Sequence, residues 1–236
     1  MPSERIRDLF RRYYPNPGRE ERLFRQRLGE SAQGARRGLD FGCGSGALCD
    51  HDFRNDVDFV VGVDADPASA GNPFVNAVVL ANGTALPFRE GSFGVVAARY
   101  VFEHLDDPRA ILRELARVLV PGGRIVFLTP NLWHYVTLIA WLTPAWVHRA
   151  AKRRHGVEHG DVFHTHYRAN TESALRRLAS ETGYQVVSLE FVEASPNYLE
   201  FSRLLYRCGV AYERIVSRWD ALRMFRVNLV VTLERL

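Results

Sequence analysis

A ten-residue run near the start of the chain, LDFGCGSGAL at 39–48, combines an acidic side chain with alternating glycines. Asp40 stands two residues before Gly42. Because glycine lacks Cβ, a loop containing Gly42, Gly44 and Gly46 turns tightly and brings its peptide groups into direct contact with a ligand. The spacing differs from the GxGxxG of dinucleotide folds, and no Gly-Lys-Ser/Thr follows as in Walker-type phosphate loops. A carboxylate at Asp40 repels phosphate and suits an ammonium group, so the run predicts a cofactor loop of the nucleotide type.

A second acid lies twenty residues beyond Gly44, at the end of the apolar run DFVVGVD. This is Asp64, which stands where nucleotide-binding folds place a ribose-binding acid. One carboxylate can accept hydrogen bonds from both ribose hydroxyls, and charge-assisted bonds of this kind contribute roughly 1.5 to 3 kcal/mol each when shielded from water. The loop and the acid at this separation therefore indicate a nucleotide cofactor more strongly than either does alone.

These residues must be positioned by the elements around them, and the chain alternates apolar strand-like runs with helical ones, as in an open parallel sheet. Strands are predicted near 37–41, 59–63, 76–80, 94–98 and 124–129. The run RAILRELARVLV has its apolar residues on one helical face, follows Asp107-Pro108 and is stopped by Pro121-Gly122-Gly123. A second helix, NTESALRRLASETGY, ends at Gly183 and precedes the strands QVVSLEFV and RVNLVVTLE.

Six segments in this order resemble the class I S-adenosylmethionine-dependent methyltransferases. They are LDFGCGSG, VVGVDAD, NGTALPF, GSFGVVAARYVFEHL, RAILRELARVL and PGGRIVFLTPN, and they cover roughly residues 36–130. Their LPF, EHL and PGG elements resemble the type 11-like branch that acts on small molecules, lipids, quinones and sugars. The resemblance implies an α/β, Rossmann-like fold with a seven-stranded, mostly parallel sheet, helices on both faces and an antiparallel last strand. It also implies S-adenosylmethionine as the cofactor of a methyl-transferring enzyme.

The resemblance assigns cofactor-binding roles residue by residue. The backbone of Gly42 and Gly44 would cradle the methionine portion, with Asp40 orienting its amino group and Asp64 taking the ribose. The other assigned residues are Phe41 in the loop, Ala65, Asn82 and Gly83 around the adenine, and Arg99 and Tyr100 at the methionine end. The sequence departs from the family pattern at two positions.

Asn82 stands where family members commonly have an aspartate, and its carbonyl oxygen can accept the same hydrogen bond from adenine. Gly94 stands where the pattern SFD is usual, so a carboxylate with a generally structural role is missing.

Catalysis would need alignment of nucleophile, sulfur and methyl, and a base only where the acceptor loses a proton, as a hydroxyl does. His104 lies at the predicted carboxyl edge of the sheet, where doubly wound folds bind ligands. It is a candidate catalytic residue together with His164 and His166, while His134 and Tyr167 are candidate acceptor contacts. For each of them, packing or structural hydrogen bonding is the alternative. The histidine spacing matches no metal-binding motif, and no metal is predicted.

The chain is predicted to form one methyltransferase domain, because 236 residues with 47% hydrophobic content suffice for one sizeable core. Its predicted parts are a helical arm over 1–35, a cofactor-binding core over 36–130, an acceptor or lid insertion over 131–169 and a C-terminal part over 170–236. The N-terminus lacks the apolar region of a signal peptide, and three scattered cysteines suggest neither disulfides nor zinc. The cytoplasm is therefore the expected compartment.

Three segments leave their partners open. Residues 1–37 carry ten arginines against five acids, which fits an amphipathic helix covering the cofactor, an anionic substrate or membrane, or RNA. The run LWHYVTLIAWLTPAWV is shorter than the roughly 20 apolar residues that a membrane span needs. It is interpreted as a lid over the acceptor pocket or as a peripheral membrane helix. The tail SPNYLEFSRLLYRCGVAYERIVSRW predicts an amphipathic helix, in a core or dimer contact in preference to a membrane contact.

The sequence thus predicts S-adenosylmethionine-dependent methyl transfer to an oxygen, in preference to carbon or nitrogen, of a small, sugar-linked or lipid-linked acceptor. DNA amino methylation is disfavoured because RYVFEHL replaces the Asn/Asp-Pro-Pro-aromatic loop that holds a flipped amine. A cysteine-dependent RNA mechanism is disfavoured because no cysteine lies near the end of that strand, so no nucleic-acid partner is predicted. The alternative is a non-catalytic S-adenosylmethionine-binding or assembly module. An oxidoreductase that binds NAD is the third interpretation. The sequence leaves the acceptor and the oligomeric state open.

Overall fold

The computed structural model describes residues 4–46, 52–142 and 164–236. Its strands are β1 Arg37–Phe41, β2 Phe59–Asp64, β3 Ala77–Leu80, β4 Phe93–Arg99, β5 Leu119–Pro130, β6 Tyr184–Val192 and β7 Asn228–Arg235. They form a seven-stranded sheet in the order β3-β2-β1-β4-β5-β7-β6. Strands β1 to β5 pair in parallel, and β7 runs antiparallel between β5 and β6. The predicted Rossmann-like, mostly parallel sheet with an antiparallel last strand is confirmed.

One strand begins earlier than predicted. β5 starts at Leu119, ahead of the Pro-Gly-Gly turn, because Leu119 pairs with Phe93 before the register shifts. Both side chains are buried. Pairing at this point keeps the side chains of Leu119 and Phe93 out of water. The Pro-Gly-Gly turn therefore lies inside β5, as an irregularity of the strand, and does not precede it.

The helices are α1 Glu4–Tyr13, α2 Arg19–Ala32, α3 Pro108–Val118, α4 Tyr135–Leu142, α5 Glu172–Glu181 and α6 Arg203–Arg218. Successive side chains of a strand point to opposite faces of the sheet. Accordingly, Val96 packs in one apolar cluster with α3 and α5, whereas Val95 packs in another with Phe24 and Leu28 of α2. Helices therefore cover both faces, as predicted.

The helix α3 shows how local sequence sets these elements. The Asp107 side chain accepts a hydrogen bond from the Ala110 N–H at 3.0 Å, and Pro108 occupies the first turn. The predicted apolar stripe is buried against the sheet at Ile111, Leu112, Leu115 and Val118. Leu119, its fifth predicted member, is also buried but begins β5 instead of continuing the helix. Each fully buried leucine of this kind stabilises the fold by about 1.5 to 3 kcal/mol.

The N-terminal arm is two helices, whereas one amphipathic helix was predicted. Pro15, Pro17 and Gly18 separate α1 from α2, and Gly18 has a left-handed φ of 74°. The two helices have different partners, because α2 packs on the sheet whereas α1 packs against Tyr206 and Val210 of α6. The tail helix α6 is thus partly a core element, as one of its interpretations held.

The glycine at position 94 has a packing reason. A Cβ built on Gly94 would lie 2.6 Å from the Cβ of Ala35, well inside van der Waals contact. No side chain fits there unless Ala35 moves. The missing carboxylate is therefore explained by the close approach of the segment that enters β1.

Candidate cofactor and acceptor site

The glycine loop after β1 is bent into a left-handed conformation. Gly42, Gly44 and Gly46 have φ values of 75°, 52° and 78°. A Cβ on Gly42 would lie 2.4 Å from a Val101 methyl carbon, whereas a Cβ on Gly44 would meet none of the described residues within 4 Å. Gly42 is therefore required both by its conformation and by packing. Gly44 is required by its conformation and borders open space, as a loop that admits a ligand should.

Asp64, at the carboxyl end of β2, is locked beside this loop. Its Oδ2 accepts a hydrogen bond from the Gly44 N–H at 2.8 Å, and its Oδ1 accepts one from the Asp66 N–H at 2.9 Å. Each carboxylate oxygen has two acceptor sites, so one remains on each oxygen. The side chain is partly exposed. The carboxylate is thus oriented by the backbone and can still accept two further donors.

A buried asparagine that the sequence analysis missed clamps the other side of the loop. Asn72 donates through Nδ2 to the carbonyls of Cys43 at 2.8 Å and Gly44 at 3.1 Å. Its Oδ1 accepts the Phe74 N–H at 2.8 Å. Nothing in the local sequence marks this residue, because it acts on a loop 28 residues away.

The neighbouring predicted residues lie at the same edge of the sheet. Asp40 pairs in register with Gly62 and Ala97 and is only 2% exposed. The ring of the next residue, Phe41, packs so closely on Gly83 that a Cβ there would lie 2.6 Å from it. Ala65 follows Asp64 on the surface. The ends of β1, β2 and β3 therefore converge as the predicted cofactor roles require.

Asn82 is engaged differently from its predicted role. Its Oδ1 accepts both the N–H and the hydroxyl of Thr84, each at 3.1 Å. These two bonds use both acceptor sites of the amide oxygen and close a local turn. The predicted contact with adenine stays a prediction, and it would require one of these bonds to be exchanged.

Arg99 and Tyr100, at the end of β4, meet the N-terminal arm. Arg99 Nε lies 2.7 Å from Glu21 Oε2 of α2, and its guanidinium carbon lies 5.4 Å from the centroid of the Tyr100 ring. Tyr100 has a left-handed φ of 55°, which is uncommon outside glycine. Burial raises the pKa of its phenol well above the usual range, and the nearby Glu20 acts in the same direction. The arm therefore contributes acids to this edge of the sheet, which the sequence analysis did not assign.

The three candidate catalytic histidines come together at the end of β4. His104 Nδ1 lies 3.1 Å from the carbonyl oxygen of His164, and the His164 and His166 ring centroids are 4.7 Å apart. A carbonyl only accepts hydrogen bonds, so Nδ1 of His104 carries the proton and Nε2 carries the lone pair. Burial lowers the pKa of His104, which keeps its imidazole neutral at physiological pH.

Glu103 organises this cluster and was not predicted. Its backbone carbonyl accepts the N–H groups of His166 at 2.7 Å and Tyr167 at 3.1 Å. Its buried carboxylate accepts the Thr129 hydroxyl at 3.1 Å, and the Thr129 oxygen in turn accepts the Asn170 amide at 2.8 Å. Burial raises the pKa of Glu103 to about 7. Its position next to His104 in the segment FEHL was the one sign in the sequence that could have pointed to Glu103.

His134 lies deeper than its predicted acceptor contact suggests. It is 2% exposed, and its Nε2 lies 3.8 Å from Glu193 Oε1. The rings of Tyr135, Tyr198 and Tyr212 surround it at centroid distances of 4.4, 6.3 and 5.7 Å. Burial lowers the pKa of His134 to about 4 and raises that of Glu193 to about 8, so both are neutral near pH 7. An acceptor would reach this imidazole only after the surrounding rings moved.

The insertion is described in part. Residues 143–163, which carry the rest of the predicted lid and three of the histidines, lie outside the described residues. Within 4–46, 52–142 and 164–236, no three or more metal-ligating side chains are grouped so as to hold a metal ion. None of the helices in those ranges is long and apolar enough to cross a bilayer.

Comparison with known proteins gives a consistent result. Residues 10–189 match a family model described as a methyltransferase domain. The chain is 34% identical over 141 residues to an uncharacterized methyltransferase of Mycobacterium sp. (strain JLS), covering 54% of each chain. It is 32% identical over 154 residues to a ubiquinone biosynthesis O-methyltransferase of Bordetella avium, covering 61% of this chain and 62% of that one. The chain spans about half the length of the first relatives it matches.

A solved structure shares the fold. It is an S-adenosylmethionine-dependent methyltransferase from Mesorhizobium loti, with a TM-score of 0.61 and 18% identity. The alignment covers 92% of this chain and 99% of that one. At this identity the likeness concerns the fold.

Proposed function

Because this chain belongs to the class I S-adenosylmethionine-dependent methyltransferases, we propose that it transfers a methyl group from S-adenosylmethionine to an oxygen of a small, sugar-linked or lipid-linked acceptor. The observation that carries the proposal is the Asp64 carboxylate, which two backbone N–H groups orient beside the glycine loop. It keeps one acceptor site on each oxygen, as recognition of a ribose diol requires.

The residues present fit this cofactor. Asp40 and Asp64 put negative charge at the loop, which suits the ammonium and sulfonium of S-adenosylmethionine and opposes a pyrophosphate. As far as the described residues extend, the space beside Gly44 is open to a ligand against the backbone. When bound, S-adenosylmethionine supplies a methyl group on a positively charged sulfur, which an aligned nucleophile can attack without further activation. Asp64 would hold the ribose, Asp40 the amino group, and Phe41 with Gly83 one wall of the adenine site.

The chain's own contribution to the reaction would be alignment, exclusion of water and removal of a proton. His104 suits the last of these, because its Nδ1–H is held by the His164 carbonyl and its imidazole is neutral. Glu103 Oε1 lies 4.0 Å from His104 Nε2. In its ionised form, Glu103, whose pKa burial raises to about 7, would at that distance stabilise the imidazolium formed when the acceptor hydroxyl gives up its proton.

Two observations favour oxygen as the acceptor atom. The first is this neutral histidine, since a base is needed for a hydroxyl and is dispensable for an amine that is already deprotonated. The second is the similarity to a relative named as an O-methyltransferase. The missing acid at Gly94 is a weak sign of the non-catalytic alternative, and the contact with Ala35 accounts for that glycine by packing.

The test begins with calorimetric titration of S-adenosylmethionine, S-adenosylhomocysteine and NAD into the purified protein. We expect both sulfur nucleotides to bind at micromolar concentration and NAD not to bind. Methyl-labelled S-adenosylmethionine is then offered with phenols, sugar hydroxyls and quinols, and transfer to oxygen is read by mass spectrometry. Binding without transfer to any acceptor class would favour the non-catalytic module. Binding of NAD alone would favour the oxidoreductase.

A further inference from the structure

The outward face of α6 carries an apolar stripe. Leu204, Cys208, Ala211 and Ile215 recur at spacings of four and three, and all are exposed. This spacing places them on one side of the helix, opposite Tyr206, which is buried against α1. Leu204 is 72% exposed and Ile215 is 54% exposed, and Trp219, 61% exposed, directly follows the helix. A continuous apolar stripe at this exposure on a folded surface indicates an interaction site.

A row of arginines borders this stripe. The row consists of Arg203, Arg207, Arg214 and Arg218, all exposed. Within the described part of the chain, no acid lies within ion-pair distance of any of the four. Instead the Arg214 guanidinium lies 5.4 Å from the Tyr13 ring, and that of Arg218 lies 5.7 Å from the Trp219 ring. Among the described residues, the arginines of this face are therefore not ion-paired with a carboxylate.

We propose that α6 docks this protein on the surface of an anionic lipid bilayer, with the apolar stripe in the headgroup region and the arginines on lipid phosphates. A helix with an apolar stripe and a basic flank, lying flat on the protein, is the arrangement of an interfacial helix. Trp219 has the amphipathic ring that favours the headgroup level. This proposal is independent of the proposed methyl transfer.

Charge decides between the possible occupants of this face. A second copy of the chain paired through α6 would bring two arginine rows together with no acid on either stripe, which like-charge repulsion opposes. A nucleic acid would satisfy the arginines and leave Leu204 and Ile215 in water. An anionic bilayer matches both the charge and the apolar side chains.

Docking through α6 would set the membrane close to the candidate acceptor region. The flank of the same helix, next to the apolar stripe, carries the half-buried Tyr212. Its ring centroid lies 5.7 Å from that of His134 and 4.9 Å from that of Tyr135. A bilayer on the outer side of α6 would therefore border this aromatic cluster.

The test is flotation of the full chain with unilamellar vesicles of phosphatidylcholine, with and without phosphatidylglycerol. We expect binding only to vesicles that contain phosphatidylglycerol, weakening as salt is raised. Each arginine near an anionic surface contributes about fivefold to partitioning, so Arg203→Gln/Arg207→Gln should weaken binding about 30-fold. The apolar variant Leu204→Ser/Ile215→Ser should also weaken it, with unchanged circular dichroism because both side chains point to solvent.

The matched control removes two exposed arginines from other elements, Arg89→Gln/Arg113→Gln, and should bind vesicles like the unaltered chain. Equal loss in this control would overturn the proposal, since net charge would then explain the binding. So would absence of binding to anionic vesicles. Sedimentation of a dimer that Ile215→Ser converts to monomer would assign the face to a second copy. RNA binding that is lost in the arginine variant and kept in the apolar variant would assign it to nucleic acid.

Discussion

Replacement of Asp64 by asparagine tests the cofactor site without removing volume. The two carboxylate oxygens each accept one backbone N–H, from Gly44 at 2.8 Å and from Asp66 at 2.9 Å. An amide has one oxygen and one NH2 group, so either orientation sets a donor against a donor. The loop loses one charge-assisted bond, and the ligand loses an acceptor on one side of its ribose.

The magnitude follows from these bonds. A hydrogen bond to a charged acceptor contributes about 1.5 to 3 kcal/mol, and each 1.4 kcal/mol is tenfold in affinity. We therefore expect Asp64→Asn to weaken S-adenosylhomocysteine binding about 10-fold to 150-fold. Asp64→Ala removes both ribose bonds and should weaken binding about 100-fold to 10,000-fold.

Isothermal titration calorimetry with S-adenosylhomocysteine measures these changes, and urea denaturation shows how much of the protein is folded. The control is Asp66→Ala, two residues away, whose carboxylate accepts the Ala68 N–H at 2.9 Å. That substitution removes a cap, costs about 0.5 to 2 kcal/mol of stability and should leave affinity within threefold. Unchanged affinity in folded Asp64→Asn protein, or an equal loss in Asp66→Ala, would refute the assignment of the ribose to Asp64.

Three further predictions concern the base, the buried pair and the glycine that replaces an acid. His104→Gln should lower kcat/KM for an oxygen acceptor about 100-fold to 10,000-fold and leave S-adenosylhomocysteine affinity unchanged. In the unaltered protein, kcat/KM should not change with pH above pH 7, because burial lowers the pKa of His104. Burial raises the pKa of Glu193 to about 8 in the folded protein. Near pH 7 the folded protein therefore keeps a proton on Glu193 that the unfolded chain has released. The free energy of unfolding should consequently fall by about 2 kcal/mol as the pH rises from 6.5 to 8. Glu193→Gln should remove that loss in urea denaturation. Gly94→Asp should destabilise the protein by about 1 to 3 kcal/mol through the clash with Ala35, and Ala35→Gly should recover most of it.

Each of these has an outcome that contradicts it. Weaker nucleotide binding in His104→Gln would assign that histidine to the cofactor site. If the free energy of unfolding of Glu193→Gln falls with rising pH as much as that of the unaltered protein, a group other than Glu193 is responsible for the pH dependence. A gain in nucleotide affinity for Gly94→Asp would show that the missing acid has a ligand role after all.

The family pattern in the sequence was sufficient for the fold and for the backbone geometry of the glycine loop and the strand ends beside it. Glycines that need a positive φ, an acid at the end of an apolar strand and a regular apolar stripe are local properties of the backbone and of the side chains beside it. The loop at 42–46, the strand ends at Asp40 and Asp64, and the buried face of α3 were all predictable for this reason.

Only the tertiary structure decided which distant residues meet. It brought His164 to His104 across 60 residues and Asn72 to the glycine loop across 28 residues. It also closed Asn82 into a local turn and enclosed His134 with Glu193. Such contacts depend on how strands and helices are placed relative to one another. A residue's type shows which bonds it can form, and the packing of the whole chain selects the one it does form.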